Sequence, residues 1–73
     1  MRFINQTLEE IAEYLERKFD VEILIEDETL AKTQYYASFV NNEGLDKILN
    51  ALNSNGIMKI SKRHDTIVIS PNN

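Results

Sequence analysis

Hydrophobic residues recur along two segments of the chain with the spacing of one face of an α-helix. In "TLEEIAEYLERKF" this apolar stripe consists of Leu8, Ile11, Ala12, Leu15 and Phe19. Thr7 and Glu10 have capping-box spacing, which predicts that the first helix begins near Leu8. In "GLDKILNALNSNG" the stripe consists of Leu45, Ile48, Leu49 and Leu52. Asn55-Gly56 predicts the end of this second helix.

The segments around the two helices have the alternation or the composition of β-strands. "VEILIED" alternates Val21, Ile23 and Ile25 with Glu22, Leu24 and Glu26. "YYASFV" is rich in aromatic and branched residues and places Phe39 inward, and "IMKISKRHDTIVIS" predicts a hairpin that ends at Pro71. "ETLAKTQ" predicts a loop or helical turn anchored by Leu30. The predicted order is β-α-β-β-α-β-β, an α+β fold with two helices packed on small β-sheets, as one domain over residues 1–73.

The two halves of the chain resemble each other. A shift of 37 positions aligns Leu8, Ile11, Ala12, Leu15 and Val21 with Leu45, Ile48, Leu49, Leu52 and Met58, and Phe3 meets Phe39 after a one-residue slip. One β-α-β unit cannot cover its own apolar stripe, so we expect two units that share one core. Chance similarity between two amphipathic helices is the alternative.

The charge of the chain argues against nucleic acid as a partner. The formal net charge is -4, the pI is about 4.8, and the eight basic residues are scattered along the sequence. Nine of the twelve acidic residues lie between Glu9 and Glu28. Such a run is either a solvated helix face with a polar loop, or a surface that meets a basic partner.

The sequence offers little chemistry. It contains no cysteine, and its one histidine, His64, lies beside Asp65 in a predicted turn, so we expect no metal, no cofactor and no enzymatic activity. A fragment of an acid/base site at this pair is the alternative. Glu9, Glu13 and Glu16 share a polar helix face and are interpreted as solubilising. The near match of "YYASFV" to an RNA-binding strand lacks the ring spacing and the basic residues that such strands use.

Four residues are predicted to contact a protein partner. If Ile23 and Ile25 face the core, Leu24 faces outward, and Tyr36 does so by the same alternation. On neighbouring strands these two side chains would form a small apolar patch. Thr66 to Ser70 is the candidate edge strand, so Thr66 and Val68 would offer backbone groups to an added strand.

"FINQTLEEIAEYLERKFDVEILIEDETLA", "YYASFVNNEGLDKILNALN" and the closing "DTIVI" resemble the C-terminal domain of FecR-like anti-sigma regulators of the Bacteroidetes type. The resemblance covers Phe3 to Ile69 and extends to the short N-terminal signalling domain of secretins and TonB-dependent transporters. It rests on fold-determining positions such as Phe-x-Asn before each helix. Gly44 stands where the family usually has a capping Ser, which makes Asn42 the predicted cap of the second helix.

The resemblance implies a non-enzymatic domain in the periplasmic part of a regulator anchored in the inner membrane. Such a domain receives a signal from the N-terminal signalling domain of a TonB-dependent outer-membrane transporter and passes it to a cytoplasmic sigma factor. The sigma-binding region and the transmembrane segment, the expected contact with the membrane, would lie outside this sequence. The alternative is the same fold as the signalling domain of the transporter itself, or as a periplasmic domain of a secretin.

Overall fold

The computed structural model describes residues 1–72 and contains five strands and three helices in that range. The elements are β1 (Arg2–Thr7), α1 (Leu8–Phe19), β2 (Glu22–Ile25), α2 (Glu28–Ala31), β3 (Gln34–Ser38), α3 (Leu45–Leu52), β4 (Met58–Arg63) and β5 (Thr66–Pro71). This confirms the α+β class and the predicted order of strands and main helices. The segment predicted as a loop or turn contains the short helix α2, and Leu30 is its buried anchor, as expected.

The strands form two separate sheets. β1 pairs with β3 in an antiparallel two-stranded sheet, while β5 lies between β2 and β4 in a three-stranded sheet. β2 is parallel to β5, and β4 is antiparallel to it. The first unit, β1-α1-β2, and the second unit, β3-α3-β4, therefore each give one strand to each sheet. Neither unit forms a sheet by itself.

The apolar stripes of both main helices enter one hydrophobic cluster. Leu15 of α1 and Leu52 of α3 are 1% and 5% exposed and belong to the same cluster. The other members are Phe3, Leu8, Ile11, Leu30, Phe39, Ile48, Leu49, Met58, Ile67 and Ile69. The prediction that the two units share a core is confirmed.

The start of α1 has the predicted capping box. The Glu10 N–H donates to Thr7 Oγ1 over 3.3 Å, and the Thr7 N–H donates to Glu10 Oε1 over 2.9 Å. Two N–H groups that a helix start leaves unpaired are thereby satisfied. The helix ends at Phe19, and the capping residue Asp20 that follows it has a left-handed φ of 52°.

The start of α3 differs from the prediction. Gly44 occupies the cap position with an extended backbone and provides no side-chain hydrogen bond. Asn42 is not the cap, because it lies three residues before Leu45 with a left-handed φ of 55°. Asn5 has the same conformation, φ 51°, three residues before α1. Asn tolerates this region better than most residues, and the two positions are equivalent in the two units.

The end of α3 also comes earlier than the sequence suggests. The helix ends at Leu52 and is followed by Asn53, so the predicted stop at Asn55-Gly56 lies in the following turn. Gly56 has a φ of 73°, which a glycine adopts without steric cost. The side chain of Asn53 bonds to the next strand, as described below.

Candidate functional site

The one histidine lies at an exposed hairpin turn. His64 and Asp65 connect β4 to β5, and His64 has a φ of 55°. In residues 1–72, no group of three or more His, Asp or Glu side chains is arranged to hold a metal ion. No helix in this range is long and apolar enough to cross a bilayer. The features that could bind a partner are exposed apolar side chains and the edges of the two sheets.

Leu24 and Tyr36 both face outward, but on different sheets. Leu24 is 50% exposed on β2 of the three-stranded sheet, and Tyr36 is 71% exposed on β3 of the two-stranded sheet. The expectation that they lie on neighbouring strands is wrong, because β2 and β3 share no hydrogen bond. Alternation within a strand gives the direction of each side chain, but it does not give the partner strand.

The Tyr36 surface is the outer face of the two-stranded sheet. We define it by Tyr36 and Ile4, which is half exposed on β1. The ladder pairs Phe3 with Ala37, and the register then shifts before Gln6, so Ile4 and Asn5 form a bulge opposite Tyr36. The bulge accommodates the left-handed Asn5 while Phe3 stays buried.

Phe3 holds this sheet on the core. Its ring packs edge-to-face on Tyr14 of α1 and on Phe39, with centroid separations of 5.6 and 6.3 Å. Such pairs stabilise beyond the area they bury. The Tyr36 surface is therefore supported from below by three aromatic rings.

The strand β5 is central, so the prediction of an edge at Thr66 to Ser70 is wrong. Its residues pair with β2 on one side and with β4 on the other. Val68 is 3% exposed, and Thr66 is half-buried, with its hydroxyl donating to Glu22 Oε1 over 3.3 Å. The uninterrupted run Ile67-Val68-Ile69 is the sequence signal of a strand covered on both faces, and it indicated a central strand.

The outer edges of the three-stranded sheet belong to β2 and β4 instead. At β2, the carboxylate of Glu16 accepts a hydrogen bond from the Ile23 N–H over 2.8 Å. Glu16 was expected only to keep a helix face soluble, but it satisfies a backbone group that an added strand would need. The contact joins a helix to the strand that follows it, and no local spacing rule predicts it.

The acidic segment from Glu9 to Glu28 is partly neutralised within the molecule. Lys32 Nζ lies 2.8 Å from Glu9 Oε1, and both side chains are largely exposed. The hydrogen bond to Glu9 and its charge raise the pKa of Lys32 above its ordinary value. A surface pair of this kind stabilises the fold little. Five of the nine carboxylates of the segment are hydrogen-bonded within the molecule, namely those of Glu9, Glu10, Glu16, Glu22 and Asp27.

No curated protein matches the chain. The crystal structure of a candidate anti-sigma factor from Parabacteroides distasonis is similar in fold, with a TM-score of 0.88 and 20% sequence identity. The match covers 100% of this chain and 34% of that protein, so the chain spans about a third of its length. The family model described as "FecR, C-terminal" matches residues 1–69. The chain therefore belongs to the FecR C-terminal family.

Proposed function

We propose that the chain is a non-enzymatic, protein-binding domain of a cell-envelope anti-sigma regulator. Its partner is the N-terminal signalling domain of a TonB-dependent outer-membrane transporter, and the domain lies in the periplasm. The observation that carries the proposal is the family match over residues 1–69. The solved protein of the same fold is also described as an anti-sigma factor, although it is about three times as long.

The distribution of apolar residues supports a binding role. Large apolar side chains from every strand and helix are packed into one cluster or against it. Six large apolar side chains are exposed within residues 1–72: Ile4, Leu24 and Tyr36 lie on strands, Tyr14 lies on α1, and Val40 and Ile57 lie in loops. Interface centres favour aromatic residues, and the neighbours of Tyr36 on the outer face of its own strand are the polar residues Gln34 and Ser38.

The proposal is tested by isothermal titration of the chain with the N-terminal signalling domain of a TonB-dependent transporter from the same organism. Saturable one-to-one binding is expected. Tyr36→Asp and Leu24→Asp are expected to weaken it, because each places a charge on a contact that was apolar. Asn50→Asp, which adds the same charge to an exposed position of α3, is the matched control and should bind like the parent chain.

The possible outcomes test the proposed function and the proposed contact residues separately. Absence of binding by a folded parent chain would contradict the proposed function. If both surface variants bind like the parent chain, the proposed function stands, but Leu24 and Tyr36 are not contact residues. Thr66 and Val68 lie on β5, which has a paired strand on each side, so they are no longer expected to accept an added strand.

A further inference from the structure

The backbone groups on the outer edge of β4 can be identified from the pairing of β5. The Glu26 N–H donates to the Ile69 carbonyl over 2.8 Å, so the backbone of Ile69 faces β2. Ile69 is opposite Ile60 in the β4–β5 ladder, and Ile67 is opposite Lys62. Because successive residues of a strand alternate in direction, the N–H and C=O groups of Ile60 and Lys62 face away from the sheet.

The two units differ in which outward backbone groups of their outer strands are hydrogen-bonded by a side chain. In the second unit, Asn53 Oδ1 accepts from the Met58 N–H, and Asn53 Nδ2 donates to the Met58 carbonyl, both over 2.9 Å. Asn53 is the counterpart of Glu16, 37 positions earlier, whose longer side chain reaches Ile23. The counterpart of Ile23 is Ile60, which Asn53 does not reach.

The edge from Ile60 to Lys62 is consequently open. No hydrogen bond from the outward groups of these residues is found within residues 1–72. β2, by contrast, is bonded at Ile23 and packed by both α1 and α2. An edge with unpaired groups is a template for another strand.

A groove of about 400 Å³ begins at the same edge. Its apolar lining comes from Leu45 and Leu49 of α3, from Ile60 and Ile67 of the sheet, and from Val21. Asp20, Asp46 and Asp65 also line the groove and outnumber its one cation, Lys62. Its volume lies in the range of sites that hold small ligands or side chains.

We propose that this groove binds an extended segment of a partner protein by adding a strand to the edge of β4 at Ile60 to Lys62. The segment carries an apolar residue opposite Ile60 and a Lys or Arg two positions away on the same face. The inference rests on the proposed function only for the identity of the protein that supplies the segment.

The pleat of the sheet decides which side chains of the added strand enter the groove. Residues paired across a ladder point to the same face, so the residue opposite Ile60 points to the groove and its apolar lining. The residue two positions along points the same way and lies opposite Lys62, where the three carboxylates that line the groove outnumber this one cation and favour a basic side chain. Backbone bonds supply affinity and the alternate side chains supply specificity.

A second copy of this chain fits the edge poorly. If two β4 edges paired antiparallel about Ser61, Lys59 of one copy would lie against Arg63 of the other on the outer face. Like charges directly opposite each other destabilise a strand pair. The chemistry therefore favours a different protein as the occupant.

The test uses one substitution that blocks the edge and one that does not. Lys62→Pro removes the outward N–H without removing a bond to β5, because proline is tolerated where the N–H faces solvent. Lys62→Ala keeps the N–H and is the matched control. We expect Lys62→Pro to weaken binding of the transporter's signalling domain about tenfold or more, and Lys62→Ala to change it less than about threefold.

A peptide measurement needs no variant. A blocked peptide of the sequence Thr-Thr-Val-Thr-Lys-Thr is titrated into the labelled chain, and the amide signals of Ile60 and Lys62 should shift and exchange more slowly with solvent. The same peptide with Glu in place of Lys should bind at least about threefold more weakly. Shifts confined to other strands would overturn the inference.

Three further outcomes distinguish failure of this inference from failure of the proposed function. Equal binding of the signalling domain by the parent chain and by folded Lys62→Pro would overturn the inference and leave the proposed function intact. Absence of that binding, with peptide protection at Ile60 and Lys62, would support the groove and overturn the proposed function. A concentration-dependent dimer of the parent chain that Lys62→Pro abolishes would identify a second copy as the occupant and overturn the inference.

Discussion

At the scale of single residues, Tyr35 has a polar group in surroundings that offer it no hydrogen bond from the described part of the chain. Its ring packs on the hydrophobic core from β3, and its hydroxyl is buried without a hydrogen-bond partner within residues 1–72. A buried hydroxyl that loses its water bonds and gains none costs free energy. We expect Tyr35→Phe to raise the free energy of unfolding by about 0.5–1 kcal/mol, measured by urea denaturation at neutral pH.

The same residue gives a pH dependence. Burial raises the pKa of Tyr35 above its ordinary value of 10.0, because the ionised phenolate is poorly solvated in the folded state. The unfolded chain therefore loses this proton first, and stability falls as pH rises above about 10 through the folded pKa. The difference in the free energy of unfolding between Tyr35→Phe and the parent chain should therefore increase over that pH range. A difference that stays constant with pH would contradict this explanation.

Contacts between nearby residues could be predicted, and contacts across a longer loop could not. The Thr7–Glu10 box spans three positions, so a spacing rule finds it. The outward direction of Leu24 follows from alternation alone. The bond from the Ile23 N–H to Glu16 depends on how a helix packs on the next strand, which no local pattern specifies.

At the scale of elements, the two main helices begin with unequal caps. α1 has a complete capping box, whereas Gly44 before α3 offers no side-chain acceptor. The backbone at Gly44 is extended, with φ -76°, and an added Cβ would meet nothing within 4 Å. Gly44→Ser therefore fits the site and supplies the missing oxygen.

We expect Gly44→Ser to raise the free energy of unfolding by a few tenths of a kcal/mol, the usual difference between these residues at a cap. Thr7→Ala should lower it by about 1 kcal/mol. Thermal unfolding followed by circular dichroism measures both. Gly56→Ser is a useful control, since its φ of 73° makes any side chain unfavourable there. Stabilisation by Gly56→Ser would show that the cap is not the cause.

Strand order is the element-scale feature that escaped prediction. β2 and β5 are parallel and pair residues 44 positions apart, as Glu22 and Thr66 do. The alternation of each strand predicts its buried face, but both edges of a strand look alike in sequence. The run Ile67-Val68-Ile69 was the available signal of a central strand.

At the scale of the whole molecule, the two units are interlocked. β1 pairs with β3, and β2 and β4 are joined only through β5, so each sheet needs strands from both units. The shared core was predictable, because neither apolar stripe can be covered within its own unit. The division of strands between two sheets was not, since it depends on pairings between residues far apart in sequence.

Because the two units are interlocked, a destabilising substitution in one unit should destabilise both units equally. Ile11 of α1 and Ile48 of α3 occupy equivalent positions and are both fully buried in the same cluster. Ile11→Val and Ile48→Val should each cost about 0.5–1.5 kcal/mol, which a small domain can lose without unfolding. In native-state hydrogen exchange, each variant should lower the opening free energy of the slowest amides in α1 and α3 by the same amount. If the opening free energy falls only in the helix that carries the substitution, the two units open separately. A core that unfolds cooperatively would instead lower the opening free energy of both helices together.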